Sequence, residues 1–421
     1  MCISSALATA CGIGGGTVYS ALLLGVQEFE PLEAFPVSNV LILSCGLVTF
    51  FACVLDKYKN PKNKFVHYDI AVLVGPSMLL GAKFGTIFNK IFSSMFLTIA
   101  VLVVLCYSIR STYKNVQKAK AREAKLAMGI DPLQNAKNVT TPTPKEPLIN
   151  KIEMVEVVTT TNGDHLFNNN STTSNTNDIL SEEDLAIINE DDNPLRMERI
   201  KFIAILEVIV VIDQLIEGNA KLPSFIGVTR CSFFYWVIFL AYIGVSLYMI
   251  KVAIEEVQTH LHKRKMLDPS FKSDVMDNVS KNIIYVVCIA VVAGIVSSMV
   301  GIGGGMITNP MFASLGLDPK ESSSTSNFLI ITTAIASTFL FSFAGQLNFS
   351  FAFWVAVPCI IAAFIGSFMI LQYINRTKKN SILLVIMLYF LIASMIIIVF
   401  KAIGGLSSQS FGDIFTLNSF C

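Results

Sequence analysis

Long apolar runs alternate along the chain with short polar breaks, and most of the runs are the length of a membrane crossing. Val37–Leu55, Tyr68–Phe88, Phe92–Ile109, Ile200–Ile216, Phe233–Val252, Phe328–Ala344, Phe351–Ile374 and Ile382–Phe400 each read as a span. About 20 helical residues, rising 1.5 Å each, cover the hydrocarbon thickness. Two further runs, Ile3–Val26 and Ile283–Leu317, are interrupted by glycines: Gly12-Ile13-Gly14-Gly15-Gly16 and Gly301-Ile302-Gly303-Gly304-Gly305. Each glycine costs a helix interior about 1 kcal/mol, so the pattern predicts two broken helices. After each cluster come an apolar stretch, Leu-Gly (Leu24-Gly25; Leu315-Gly316), and a polar turn ending in Ser38-Asn39 or Ser326-Asn327. The repeat continues into Val74-Gly75-Pro76 with Gly81 and Gly85, matched by Val357-Pro358 with Ala362, Ala363 and Gly366.

Composition narrows the class. Hydrophobic residues make up 53% of the 421 and charged residues 14%, with mean hydropathy +0.63. That combination excludes an ordinary soluble globule and predicts a multi-pass membrane protein whose surroundings are lipid. The net charge of +1 points to no nucleic-acid partner. Nine cysteines lie mostly in apolar runs without a CxxC pair, and read as small hydrophobes. His260 and His262 read as solvated loop residues, so neither a metal nor a cofactor is expected. No basic n-region of a cleavable signal precedes Ile3. Only 11 residues precede Gly12, which reads as a short first arm or an incomplete start.

The chain divides by composition. Residues 1–109 form an N-terminal membrane repeat. Residues 110–199 form a polar linker with a basic run, a Thr-Pro stretch, an Asn/Ser/Thr tract and an acidic patch at Glu182–Asp192. Such a composition cannot bury a core, so a disordered cytoplasmic linker, open to protein partners, is expected. Residues 200–252 hold two connecting helices, 253–281 a basic loop, 282–401 the second repeat and 402–421 a tail. Lys57, Lys59, Lys62 and Lys64, then Arg110 to Lys125, then Lys251 to Lys265 recur every two spans, and lysine and arginine favour the cytoplasmic side. Arg376, Lys378 and Lys379 join that side only if Ile283–Leu317 dips in and returns, which makes the two repeats inverted. Glycan at Asn138, Asn169 or Asn170 would reverse the orientation.

Broken backbone at membrane depth is tolerated where it lines a cavity, and paired broken helices mark transporter sites. Thr308-Asn309-Pro310 reads as the start of a short helix, Pro310–Leu317. Ser322 to Asn327 read as the cap of a helix beginning near Phe328. Free N–H groups at such helix starts favour an anion. The candidate binding residues are Gly12, Gly14, Gly15, Gly16, Ser38, Asn39, Gly301, Gly303, Gly304, Gly305, Asn309, Ser326 and Asn327. The bland alternative is that the glycines only let helices pack closely. Among ionisable residues inside spans, Glu207 and Asp213 are the proton-coupling candidates, while Lys83 and Glu217 read as reaching for the interface.

These segments, Cys11 through Asn39 and Val300 through Asn327, with Gly75–Gly85 and Pro358–Gly366, resemble the sulfite exporter TauE/SafE family of membrane anion permeases. The resemblance leaves out the 110–199 linker, and the Cys231-Ser232-Phe233-Phe234-Tyr235-Trp236 turn is similar to that of eukaryotic members. It implies export or exchange of small sulfur-containing anions such as sulfite or organosulfonates. The expected fold is all-α, two repeats each with a glycine-broken hairpin and three spans. The expected function is secondary anion transport, not catalysis, since no HExxH, paired Asp or Ser/His constellation falls in the spans. A non-transporting receptor or scaffold acting through the linker is the alternative.

Overall fold

The structure is a computed structural model that describes residues 1–10, 15–59, 66–127, 196–217, 224, 227–228, 232–267, 274–317, 319–377 and 381–408. Gly12, Gly14, most of the linker, the three sequons and the last 13 residues lie outside these. The described residues form thirteen helices and no strand. The first five are α1 (Cys2–Ala10), α2 (Gly16–Gly25), α3 (Pro31–Lys59), α4 (Tyr68–Ile91) and α5 (Ser94–Ala127). After the linker come α6 (Met197–Glu217), α7 (Phe233–Leu267), α8 (Asp274–Lys281), α9 (Ile283–Val300) and α10 (Gly305–Leu315). The chain closes with α11 (Pro319–Phe343), α12 (Phe349–Thr377) and α13 (Ser381–Ser408).

Among the described residues, seven helices, α3, α4, α5, α7, α9, α11 and α12, are long and apolar enough to cross a membrane. Their outward faces are apolar as well: Phe233, Phe234, Leu240 and Tyr248 on α7, and Phe353, Trp354 and Phe364 on α12, stand exposed. A surface of that kind is stable only against lipid. The protein is therefore a multi-pass integral membrane protein. α6 is not among the seven, because its 21 residues carry six charges.

Contacts fix the helix directions. Three glycines bring α4 and α9 together: a Cβ on Gly81 would lie 2.2 Å from Val291 O, on Gly85 2.3 Å from Ile295 O, and on Gly294 2.1 Å from Met78 O. The register advances together on both, so α4 and α9 run parallel, and Asn89 Nδ2 donates to Met299 O at the far end (2.8 Å). α10 then comes back. Asn278 Nδ2, just before α9, donates to Leu315 O at the end of α10 (3.4 Å). α11 starts beside the start of α4, where the His67 N–H donates to Thr325 Oγ1 (2.9 Å). α1 likewise packs on α12, where a Cβ on Gly366 would lie 2.5 Å from Ala6 Cα.

Three boundaries differ from the expectation. α10 begins at Gly305, not Pro310, and the proline sits inside it. α3 and α11 begin at Pro31 and Pro319, so Ser38-Asn39 and Ser326-Asn327 lie two turns inside helices rather than in polar turns. Proline fixes φ without needing its missing N–H at a first helical position, and that signal outweighs the run of serines after it. α5 runs unbroken through its basic stretch to Ala127. The cysteines divide: Cys45 and Cys359 are buried, whereas Cys2, Cys106 and Cys288 are exposed.

Overpacking a close helix crossing costs roughly 1–3 kcal/mol. Gly81→Ala and Gly294→Ala are expected to lower the thermal unfolding midpoint in micelles. Gly244→Ala, where an added methyl meets nothing within 4 Å, is expected to leave it unchanged or slightly higher.

Candidate functional site

The described end of the first glycine cluster, Gly15-Gly16, meets the second cluster. α9 stops at Gly301, whose positive φ (62°) closes the helix with its N–H on Ser297 O. A second left-handed glycine, Gly303 (φ 72°), redirects the chain before α10 starts. In the first cluster Gly15 is left-handed (φ 61°) and α2 starts at Gly16. A Cβ on Gly16 would lie 2.0 Å from Ile302 O, so the two elbows are in direct contact. Ile42 of α3 packs on both, facing Gly16 and Gly303. Close packing alone accounts for Gly16, Gly304 and Gly305. The left-handed backbone at Gly15, Gly301 and Gly303 requires glycine for a different reason, since a Cβ there is strained.

Hydroxyl groups satisfy the broken ends. Ser20 Oγ of α2 and Ser38 Oγ of α3 both donate to Gly301 O, at 2.8 and 2.7 Å. Each such bond is worth about 0.5–1.5 kcal/mol net. The Ser20 and Ser38 hydroxyls are also 3.1 Å apart, and Thr308 and Ser326 form the equivalent pair in the second half at 3.3 Å. Both pairs are 18 residues apart in sequence. The starts of α2 and α10 carry no side-chain cap, so their first N–H groups lack intrahelical acceptors.

Asn39 and Asn327 flank the elbows. Asn39 Nδ2 donates to Phe35 O (3.0 Å) and Asn327 Nδ2 to Gly46 O (3.2 Å), placing the two amides about 16 Å apart along α3. Both Oδ1 atoms are buried without a hydrogen-bond partner. The structure thus gathers Gly15, Gly16, Ser38, Gly301, Gly303, Gly304 and Gly305 at one place, with Asn39, Ser326 and Asn327 around it. Asn309 stands apart from the helix start, its Oδ1 accepting from Ser322 Oγ (2.5 Å).

Two ionic layers, buried except at Glu256 and His260, hold α6 and α7 against α4. In one, Asp69 of α4 meets Arg196 (3.0 Å) and Arg199 (3.2 Å) beside α6, Arg199 also pairs with Glu256 of α7, and His260 lies 3.8 Å from Asp69. In the other, Lys83 of α4 pairs with Asp213 and with Glu217 (2.8 Å), its ammonium 5.0 Å from the centre of the Tyr242 ring of α7. The layers are 14 residues apart on α4 (69, 83), on α6 (199, 213) and, in reverse, on α7 (256, 242). That spacing is about 21 Å of helix. Lys83 and Glu217 are therefore internal partners rather than reaching for the interface, and His260 belongs to a helix rather than a loop. Between the layers Glu207 has both carboxylate oxygens buried and unbonded.

The sequence did not single out Ser20, Ile42, Asp69, Arg196 or Arg199, and marked Thr308 only as part of a helix start. The matched 18-residue spacing of Ser20–Ser38 and Thr308–Ser326 was a readable pairing signal for Ser20 and Thr308. Elsewhere, a groove of about 600 Å³ between α5, α9 and α10 is lined by Val103, Tyr107, Tyr285, Ile307, Pro310 and Met311 among others. Its walls are almost wholly apolar, so it offers an anion nothing.

The model of the family described as "Sulfite exporter TauE/SafE" matches residues 224–396. Similar proteins from Arabidopsis thaliana extend the likeness to most of the chain. Sulfite exporter TauE/SafE family protein 3 is 22% identical over 394 residues, covering 94% of this chain and 74% of its own length. Family protein 2 is 23% identical, covering 90% and 77%, and family protein 1 is 21% identical with the same coverage. No solved structure matches.

Removing one partner from a buried ion pair strands the other charge, at about 3–5 kcal/mol. Lys83→Ala is expected to destabilise by that order, read as loss of thermal stability and of monodisperse protein. Replacing Lys83, Asp213 and Glu217 together by Met, Leu and Leu is expected to restore most of it.

Proposed function

We propose that this chain, similar to the sulfite exporter TauE/SafE family over residues 224–396 and to Arabidopsis thaliana members over most of its length, belongs to that family and is a secondary transporter of a small sulfur-containing anion. Sulfite and organosulfonates are the substrate class, and the site is the meeting of the two elbows. The observation that carries this reading is the contact of the two elbows at one buried place (Gly16 against Ile302 O), at helix starts without side-chain caps and flanked by two amides with unbonded oxygens. Helix starts favour negative charge by roughly 0.3–2 kcal/mol each. An asparagine amide turned about its last torsion offers its NH₂ to an oxyanion.

With the elbows in contact, no anion fits between Gly16 and Ile302, so this arrangement is the closed one. Transport requires the halves to part. The reading that serves this best is an inverted repeat: α9–α10 enters and returns on one side, α1–α2 comes from the other, and each half rocks about the shared tip. The face with Lys57, Lys59, Lys263 and Lys281 is then the cytoplasmic one. Coupling is to a proton carried by Glu207, while Asp213 serves as the counter-charge of Lys83.

The test uses full-length protein in liposomes with labelled sulfite and methanesulfonate. Gly304→Val and Asn327→Ala are each expected to lower the rate about tenfold or more, with Gly244→Ala unchanged. Asn39→Asp, which adds negative charge, is expected to reduce transport further than Asn39→Ala. Wild-type protein that moves neither anion, in either direction, overturns the reading.

A further inference from the structure

Most hydroxyls within these helices turn back onto their own backbone. Ser44 donates to Val40 O, Thr49 to Cys45 O, Ser108 to Val104 O and Ser342 to Thr338 O. Two do otherwise. Ser77 Oγ on α4 and Thr338 Oγ1 on α11 are buried and bonded to nothing, as are both oxygens of Glu207 on α6. The three helices pack on one another pairwise.

Other contacts set the relative heights of these residues. Asp69 pairs with Arg199 and Lys83 with Asp213, each 130 positions later in the chain, so α4 and α6 run parallel in a fixed register. That register puts Ser77 level with Glu207. Tyr68 and Phe328, with ring centres 5.6 Å apart, align the start of α4 with α11. Counting on from them puts Ser77 level with Ser337, immediately before Thr338. Leu79, Leu80, Leu206, Val210 and Ala336 form one apolar cluster around the same level. Three unbonded oxygen-bearing side chains therefore lie at one height on three mutually packed helices.

The charged groups around Glu207 are otherwise engaged. On its own helix Asp213 and Glu217 are bonded to Lys83. On α4 the cations are Lys83 itself and Lys90, which acts on Glu217. On α7 the titratable neighbour is Tyr242, beneath the Lys83 ammonium. α11 brings hydroxyls and no ionisable group at this level. A buried carboxylate with neither a cation nor a donor neutralises itself by binding a proton.

We infer that Glu207, Ser77 and Thr338 form a proton-carrying site at the junction of the two halves, a statement that rests on the transport reading above. α4 belongs to the first half and α11 to the second, so rocking one against the other changes which hydroxyl faces the carboxyl. Ser337, next to Thr338, is hydrogen-bonded to Ser298 of α9 (2.5 Å), which joins this wall to the arm of the second elbow. A proton from water on one side forms the Glu207 O–H bond. On the other side that bond breaks and the proton returns to water, with no electron transferred.

Full-length protein in liposomes tests this by two independent readouts. The first is the infrared C=O stretch of a neutral carboxylic acid at neutral pH. It is expected in the wild type, absent in Glu207→Gln, and shifted in frequency in Ser77→Ala and Thr338→Val. The second is labelled sulfite. Accumulation driven by a pH gradient is expected to fall about tenfold more in Glu207→Gln than sulfite–sulfite exchange does. Ser77→Ala and Thr338→Val are expected to move the pH profile of accumulation by about half a unit or more.

An acid band that persists in Glu207→Gln, or gradient-driven accumulation as strong as in the wild type, overturns the inference. If Glu207→Gln does not fold, an unshifted band and an unshifted profile in both hydroxyl variants overturn it. A wild type that shows the band yet moves no sulfite would overturn the transport reading and leave the proton site standing.

Discussion

A helix interrupted inside hydrocarbon leaves N–H and C=O groups that lipid cannot satisfy, and the arrangement of this protein follows from where those groups find partners. The end of α9 is closed by its own left-handed glycine and by two serines from the opposite half, which donate to Gly301 O. The first half therefore completes the broken backbone of the second. This explains why the two glycine clusters lie in contact and why hydroxyls rather than charges surround them.

The ionic layers answer a second constraint. α6 carries six charges, far too many for a helix facing lipid. Arg199 meets Asp69 of α4 and Glu256 of α7 at one end, and Asp213 and Glu217 meet Lys83 of α4 at the other, in a common 14-residue register. Buried pairs of this kind add little net stability over apolar packing, but breaking one is costly. They hold α6 and α7 in one position along α4. Glu207, between the layers, is left out of that pairing.

Much of this was written in the one-dimensional pattern. The apolar runs gave the helices, because only a helix satisfies its own backbone in lipid. The doubled glycine clusters gave the elbows, because that many glycines in a row cannot continue a helix. Cap chemistry pointed to helix starts at Asn309-Pro310 and near Phe328, whereas α10 already begins at Gly305 and α11 at Pro319. Long-range packing decided between them.

What the sequence determined by itself is the membrane class, the broken segments and their repetition, since these depend on hydropathy and local backbone preference. Only the tertiary structure decided that Gly16 lies on Ile302, that Ser20 and Ser38 serve Gly301, that Lys83 is shared by Asp213 and Glu217, and that Glu207 has no bonded partner. Each of these joins residues more than 100 positions apart or reports the failure to join. Periodicity tells which face of a helix is buried; it carries no record of which other helix will lie against it.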